Sequence, residues 1–253
     1  MEHKLFIQRY SRRDLLRVLG VGSAAIFAGY DHWRAIFSLN DAADLRSVAR
    51  AANLPGCVVR PEQTEGPYFV DEKLNRSDIR VEPSDKSVKP GVPLRLEFQV
   101  SRIAGAACTP LSGAMVDVWH CDAAGVYSDV RDGQFDSRGK KFLRGYQQTN
   151  ANGNAEFLTI YPGWYEGRAV HIHFKIRSAA QGGRAQAFTS QLYFDESVND
   201  QIFKQTPYNS KRGRRVMNDS DSIFRRGGKE LLVTPAKNAQ GYTAKFDIGL
   251  QIS

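Results

Sequence analysis

Tyr161-Pro162-Gly163-Trp164-Tyr165-Glu166-Gly167-Arg168-Ala169-Val170-His171-Ile172-His173-Phe174-Lys175-Ile176 is the stretch that decides the fold class. Its second half has the pattern of a strand, in which Val170, Ile172, Phe174 and Ile176 alternate with His171, His173 and Lys175. Side chains on a strand point to opposite faces with period 2, so the four apolar residues predict a core face. His171 and His173 then fall side by side on the other face, where two imidazoles make half of a metal site. Pro162-Gly163 marks a turn that presents Trp164 and Tyr165 towards the same region. Spacing alone also fits a partly exposed strand carrying two polar residues, so the decision needs the rest of the chain.

Outward from this strand the pattern is short strands with turn signals. Residues 94–100 place Leu94, Leu96, Phe98 and Val100 on one face. Residues 114–120 form a β-rich run, and Asn150-Ala151-Asn152-Gly153-Asn154 is a hairpin-type turn leading to a strand at 155–160. Phe188–Phe194, with Gln191 on it, and Tyr242–Ile252 read as further strands, and a short helix is expected near 196–204. Residues 128–148 are polar and charged and read as a long loop over the site, and Ser178–Gln186, with Gly182-Gly183, reads as another loop. The expectation is an all-β protein, an antiparallel β-sandwich with long loops around the metal site. There is no internal repeat, no βαβ pattern and no phosphate-binding glycine loop.

The chain has 253 residues and a net charge of +8, of which +3 falls in residues 1–51 and +5 in the remainder. A nucleic-acid binder would show a dense basic stripe with interleaved aromatics; the nearest run, Lys211-Arg212-Gly213-Arg214-Arg215, lacks them and reads as a solvated loop, so no nucleic acid is expected. Cys57, Cys108 and Cys121 match no zinc or CxxC spacing. A strand over 114–120 carries Cys121 away from the turn holding Cys108, so Cys57 pairs with one of the other two, and the sequence does not choose between them.

Ser11-Arg12-Arg13-Asp14-Leu15-Leu16 precedes a short Gly/Ala-rich apolar run at 18–29. This resembles a twin-arginine export signal, and the run is too short for a transmembrane helix. An ordinary amphipathic helix would alternate apolar and polar faces, whereas 18–29 is apolar or small all round. Ala49-Arg50-Ala51 has the small-x-small form of a cleavage site but lies far from the apolar run. The expected division is a signal helix and linker at 1–51, passing through the twin-arginine translocon, and a catalytic β-sandwich at 52–253 exported to the periplasm or beyond.

Three stretches together carry a resemblance. They are Asp117-Val118-Trp119-His120 with Gly125-Val126-Tyr127-Ser128, the opening stretch with its Arg168, and Gln191-Leu192-Tyr193-Phe194. Thr64-Glu65-Gly66-Pro67-Tyr68 and Phe246-Asp247-Ile248 add to them. Together, over roughly residues 57–250, they resemble the intradiol ring-cleavage dioxygenases, specifically the exported single-chain branch. The resemblance implies a non-haem ferric ion held by Tyr127, Tyr165, His171 and His173. Two phenolates and two neutral imidazoles leave such a centre near +1, and hard anionic oxygen donors suit Fe(III) where zinc favours thiolate and Fe(II) oxygenases favour two His and a carboxylate. It further implies a catechol-type substrate and O₂, ring opening between the two hydroxylated carbons, and a muconate-type diacid. Tyr165 would leave the metal and take a substrate proton, Arg168 would stabilise developing negative charge, and Gln191 would position the ring. Gly66, Pro67, Tyr68 and Trp164 would line the substrate pocket, and Trp164 is bulkier than related sequences often carry. Trp119 and His120 are expected to pack behind the Tyr127 loop, Tyr193 and Tyr242 to be ordinary packing tyrosines. A homo-oligomer is compatible with the resemblance.

The rival readings differ in the residues they need. A non-catalytic exported β-sandwich binding module would not require the full ligand set. A cupin-like metalloenzyme adds a downstream glutamate and histidine to His-x-His, yet no histidine follows His173. An exported zinc hydrolase would place a carboxylate at ligand spacing with the histidines, and none is there.

Overall fold

Phe98, Phe174 and Phe246 come from three distant strands and meet in the core, with ring centroids 5.3–5.9 Å apart. They mark the contact between two sheets in a computed structural model that describes residues 56–178 and 186–251. The twin-arginine stretch, the small-x-small motif and Gly182-Gly183 lie outside those residues.

The first sheet contains β1 (Pro93–Ala104), β2 (Ala107–Pro110), β5 (Asn154–Ile160), β9 (Ala236–Asn238) and β10 (Gly241–Leu250). One side of β1 pairs with β5 over Pro93–Gln99 and then with β2 over Ser101–Ala104, and its other side pairs with β10. The second sheet runs β4 (Arg144–Gln148), β3 (Met115–Trp119), β6 (His171–Arg177), β7 (Ala187–Phe194), β8 (Leu232–Val233). The predicted period-2 faces are present. Leu94, Leu96, Phe98 and Val100 are buried from the first sheet, and Val170, Ile172, Phe174 and Ile176 from the second. Burying each large apolar side chain contributes roughly 1.5–3 kcal/mol, so this two-layer interior is the main source of stability. The helix α1 (Glu196–Ile202) also forms as expected, with the Asp195 side chain accepting from the Ser197 N–H at its start.

The sandwich expectation is met, with three corrections. Pairing is mixed, since β1–β10 and β7–β8 are parallel. Alternation has the same period in either direction and carries no information on strand sense. The charged stretch 128–148 ends in a strand, because 144–148 pairs along β3. Gly145 is needed there, as a Cβ would lie 2.8 Å from Ile79. The 211–215 run is only partly solvated: Lys211 donates to backbone carbonyls and Arg215 pairs with Glu196 and Asp200. The open cysteine choice resolves as Cys57–Cys108, with Cys121 free and buried.

Candidate active site

The outer face of the second sheet carries the chemistry. Register sets His173 between Trp119 on β3 and Gln191 on β7, and His171 beside Tyr193. Since partners in register share a face, one strand's alternation brings five side chains to the same face of the sheet. His173 stacks on Trp119 with centroids 5.0 Å apart and planes 8° from parallel. Gly66 closes over the same ring, where an added Cβ would come within 3.3 Å of it.

Four donor atoms gather at one point. His171 Nε2 lies 3.0 Å from His173 Nε2, 3.2 Å from the Tyr165 hydroxyl and 3.3 Å from the Tyr127 hydroxyl. The Nδ1–H of His171 donates to the Ala169 carbonyl at 2.7 Å, which leaves Nε2 with its lone pair facing the group. One lone pair cannot accept from three neighbours, so hydrogen bonding alone does not account for this crowding. Ligand atoms about 2 Å from a shared cation sit about 3 Å from one another, and the donor set fits that spacing. Burial drives His171 down to about 3 and His173 well below its ordinary value, so both imidazoles are neutral. Burial likewise raises the Tyr127 and Tyr165 phenols, and a nearby cation would reverse that by favouring phenolate. Among the described residues no three His, Cys, Asp or Glu side chains form a metal-binding group, so a metal here requires the tyrosines.

The two tyrosines arrive on interlocked loops. Asp122 Oδ1 accepts from the Ala124 and Val126 N–H groups, and Asp122 pairs with Lys89, which shapes the turn before Tyr127. Gly125 is left-handed there (φ +88°), and a Cβ would lie 2.3 Å from the Trp164 carbonyl oxygen. Lys211 Nζ donates to the carbonyls of both Ala124 and Trp164, at 2.6 and 2.7 Å, tying one loop to the other. Buried Arg144 donates to Ser128 and to the Tyr68 carbonyl, and burial pulls its pKa down to about 10.

Around the donors, Arg168 Nη2 donates to Gln191 Oε1 at 2.6 Å and its Nε to Asp221 Oδ2 at 2.9 Å. Gln191 Nε2 donates to the Thr64 carbonyl. The Tyr68 ring stacks on Tyr127 at 4.5 Å, meets Tyr165 edge-on at 6.1 Å and sends its hydroxyl to Asp132. Pro67 is exposed beside it. Trp164 is buried with its ring against Lys211 and Gly213. Tyr193, read as a packing residue, has its hydroxyl 3.0 Å from Gln191 Oε1 and 2.8 Å from Gln63 Oε1, so it belongs to the Arg168–Gln191 network. Asp221 and Asp132 were not singled out by sequence, because isolated aspartates in loops carry no spacing signal. Tyr242 packs in the core, as expected, and His120 sits behind the Tyr127 loop between the Cys121 carbonyl and Thr159 Oγ1. A cavity of about 460 Å³ bounded by Val59, Arg60, Ile176, Phe188 and Leu250 includes none of the four donors, so chemistry rather than volume locates the site.

Residues 64–220 match the family described as "Dioxygenase". The chain is 33% identical over 177 residues to the protocatechuate 3,4-dioxygenase beta chain of Burkholderia cepacia, covering 65% of this chain and 68% of that one. It is 30% identical over 142 residues to catechol 1,2-dioxygenase 1 of Acinetobacter lwoffii, covering 47% of this chain and 42% of the relative. Among solved structures it superposes on the intradiol ring-cleavage dioxygenase from Tetranychus urticae with a TM-score of 0.64 and 32% identity, over 78% of this chain and 94% of that one.

Proposed function

The chain belongs to the intradiol ring-cleavage dioxygenases, which are oxidoreductases, and we propose that it opens a catechol-type ring between its two hydroxylated carbons with O₂, using a ferric ion. The observation that carries this is the meeting of two phenols and two imidazoles at 3.0–3.3 Å around His171 Nε2. Tyr127, Tyr165, His171 and His173 would hold the iron. When bound, a ferric ion there would supply the chemistry that makes a catechol ring reactive towards dioxygen, with a muconate-type diacid as the product.

The chain's own residues supply the rest. Tyr165 is the less buried of the two, and as a phenolate its Oη would accept a substrate hydroxyl proton. Arg168 presents a fixed positive charge beside Gln191, where negative charge develops on the opening ring. Gln191, held by Thr64 and Arg168, orients the substrate edge. Tyr68, against Tyr127 and Tyr165, and Gly66, over His173, would line the substrate pocket with Pro67, whereas the Trp164 ring is turned to Lys211 and Gly213. Trp119 backs the His173 ring, and His120 packs behind the Tyr127 loop.

A non-catalytic binding module would have no use for an oriented arginine beside two phenols. Incubating the iron-loaded protein with catechol in air tests the choice. Matched loss of dissolved oxygen and growth of muconate absorbance supports the enzyme, and no change in either contradicts it.

We also read residues 1–51 as a twin-arginine signal that exports the folded protein. The Cys57–Cys108 disulfide supports that reading, since such bonds persist in oxidising compartments. Replacing Arg12 and Arg13 by lysine should leave the precursor in the cytoplasm; undiminished export would point to another route.

A further inference from the structure

Asp221 lies in the turn after residue 220, one position beyond the stretch matched to the family, and is 1% exposed. Its Oδ2 accepts from Arg168 Nε at 2.9 Å and from the Ala169 N–H at 2.8 Å. Its Oδ1 accepts from the Ile223 N–H at 2.7 Å and the Phe224 N–H at 3.3 Å. Ala169 in turn receives the Nδ1–H of His171 on its carbonyl. A single carboxylate therefore touches the guanidinium, the N–H of the residue whose carbonyl sets the His171 tautomer, and a turn of its own.

Resting on the dioxygenase reading above, we propose that Asp221 is a positioning residue that clamps Arg168 Nε so that Nη2 stays on Gln191 beside the donor cluster. An arginine side chain has several rotatable bonds, and leaving it free would cost the alignment on which charge stabilisation depends. Gripping Nε fixes the plane of the guanidinium and leaves its far edge for Gln191 Oε1 at 2.6 Å and the Tyr193 hydroxyl at 3.4 Å. The clamp also pairs a mostly buried cation, which offsets part of the cost of holding the guanidinium away from water. Burial pushes the Asp221 carboxyl up, but the Ala169 N–H and Arg168 outweigh it and hold the group below the usual carboxylate range. Asparagine cannot substitute. Its one carbonyl oxygen can serve either Arg168 and Ala169 or the Ile223–Phe224 turn, and its NH₂ then faces donors on the other side.

The test is a double-mutant cycle on the iron-loaded protein with catechol. Asp221→Asn should keep its iron, lower kcat about 10- to 100-fold and leave KM within about threefold. Adding Asp221→Asn to Arg168→Ala should change kcat by less than about threefold, because the clamp has nothing left to hold. Independent, multiplying losses, or a parental kcat in Asp221→Asn, would overturn the proposal. A second measurement needs no change at Asp221. In the metal-free parent labelled with ¹⁵N-arginine, the Arg168 Nε–H signal, assigned by its loss in Arg168→Lys, should exchange slowly with solvent. Exchange as fast as at an exposed arginine would overturn the clamp even if Asp221→Asn does not fold. Absence of catechol turnover in the parent would instead defeat the dioxygenase reading, while the exchange measurement still reports on the clamp.

Discussion

Arg168 and Tyr165 sit three residues apart and should fail in different ways. Arg168 is turned to Gln191 and Asp221 and is not among the four donors. Arg168→Ala should therefore retain iron and colour, still shift its spectrum with catechol, and turn over about 10²- to 10³-fold more slowly. Iron loss as complete as in His173→Ala would make Arg168 structural. Tyr165→Phe removes a phenol oxygen from the cluster and should alter the colour and loosen the iron, and His173→Ala should empty the site; metal analysis and absorption spectra check both. At this scale the sequence was informative where spacing or motif constrained a residue. The two histidines follow from alternation, and the tyrosines, Arg168 and Gln191 from a resemblance. Asp221 and the hydroxyl of Tyr193 were illegible because their roles exist only once β7 and the 221–224 turn are folded against Arg168.

At the scale of elements, β6 serves two purposes, with Phe174 in the inter-sheet core and His173 one residue away in the site. Phe174→Ala should cost about 3–5 kcal/mol, read by urea denaturation, because the facing Phe98 and Phe246 cannot both move into the space. A loss under about 1 kcal/mol would mean the core collapses readily around the gap. The Tyr127 loop should behave as a separate module. Gly125→Ala forces a Cβ onto the Trp164 carbonyl at a left-handed position, so iron retention should fall more than the urea midpoint of the sandwich does. Equal effects on both would show the loop to be part of the core. Alternation made the long strands readable. It could not reveal that β1 and β10 run parallel, nor find β4, whose residues are mostly polar because Arg144 serves the site loops and not the core.

Across the whole described molecule, acid stability should report a buried neutral histidine outside the donor set. His120 is held with Nδ1 2.8 Å from the Cys121 carbonyl and Nε2 2.6 Å from Thr159 Oγ1, and burial lowers its pKa from 6.5 to about 4. The unfolded chain takes up this proton near pH 6.5 while the folded protein resists to about 4, so His120 costs stability progressively as pH falls through that window. Asp117, raised to about 6 by burial against the pull of Arg177, acts in the opposite sense over the lower part of it. Metal-free His120→Asn should thus show a shallower loss of urea stability between pH 6.5 and 4 than the metal-free parent, and an unchanged slope would mean His120 titrates normally. The architecture as a whole was legible as a two-layer β-protein because its core faces are clean, whereas the Cys57–Cys108 pairing was not, since two partners satisfied the same spacing argument. Whether the four donors form a tyrosine-ligated ferric centre built for catechols is decided by the visible spectrum of the purified protein alongside its iron content. One iron per chain is expected, with a charge-transfer colour from Tyr127 and Tyr165 and a shift of that band when catechol is added without oxygen. A protein that stays colourless after iron reconstitution, and binds no stoichiometric iron, would contradict it.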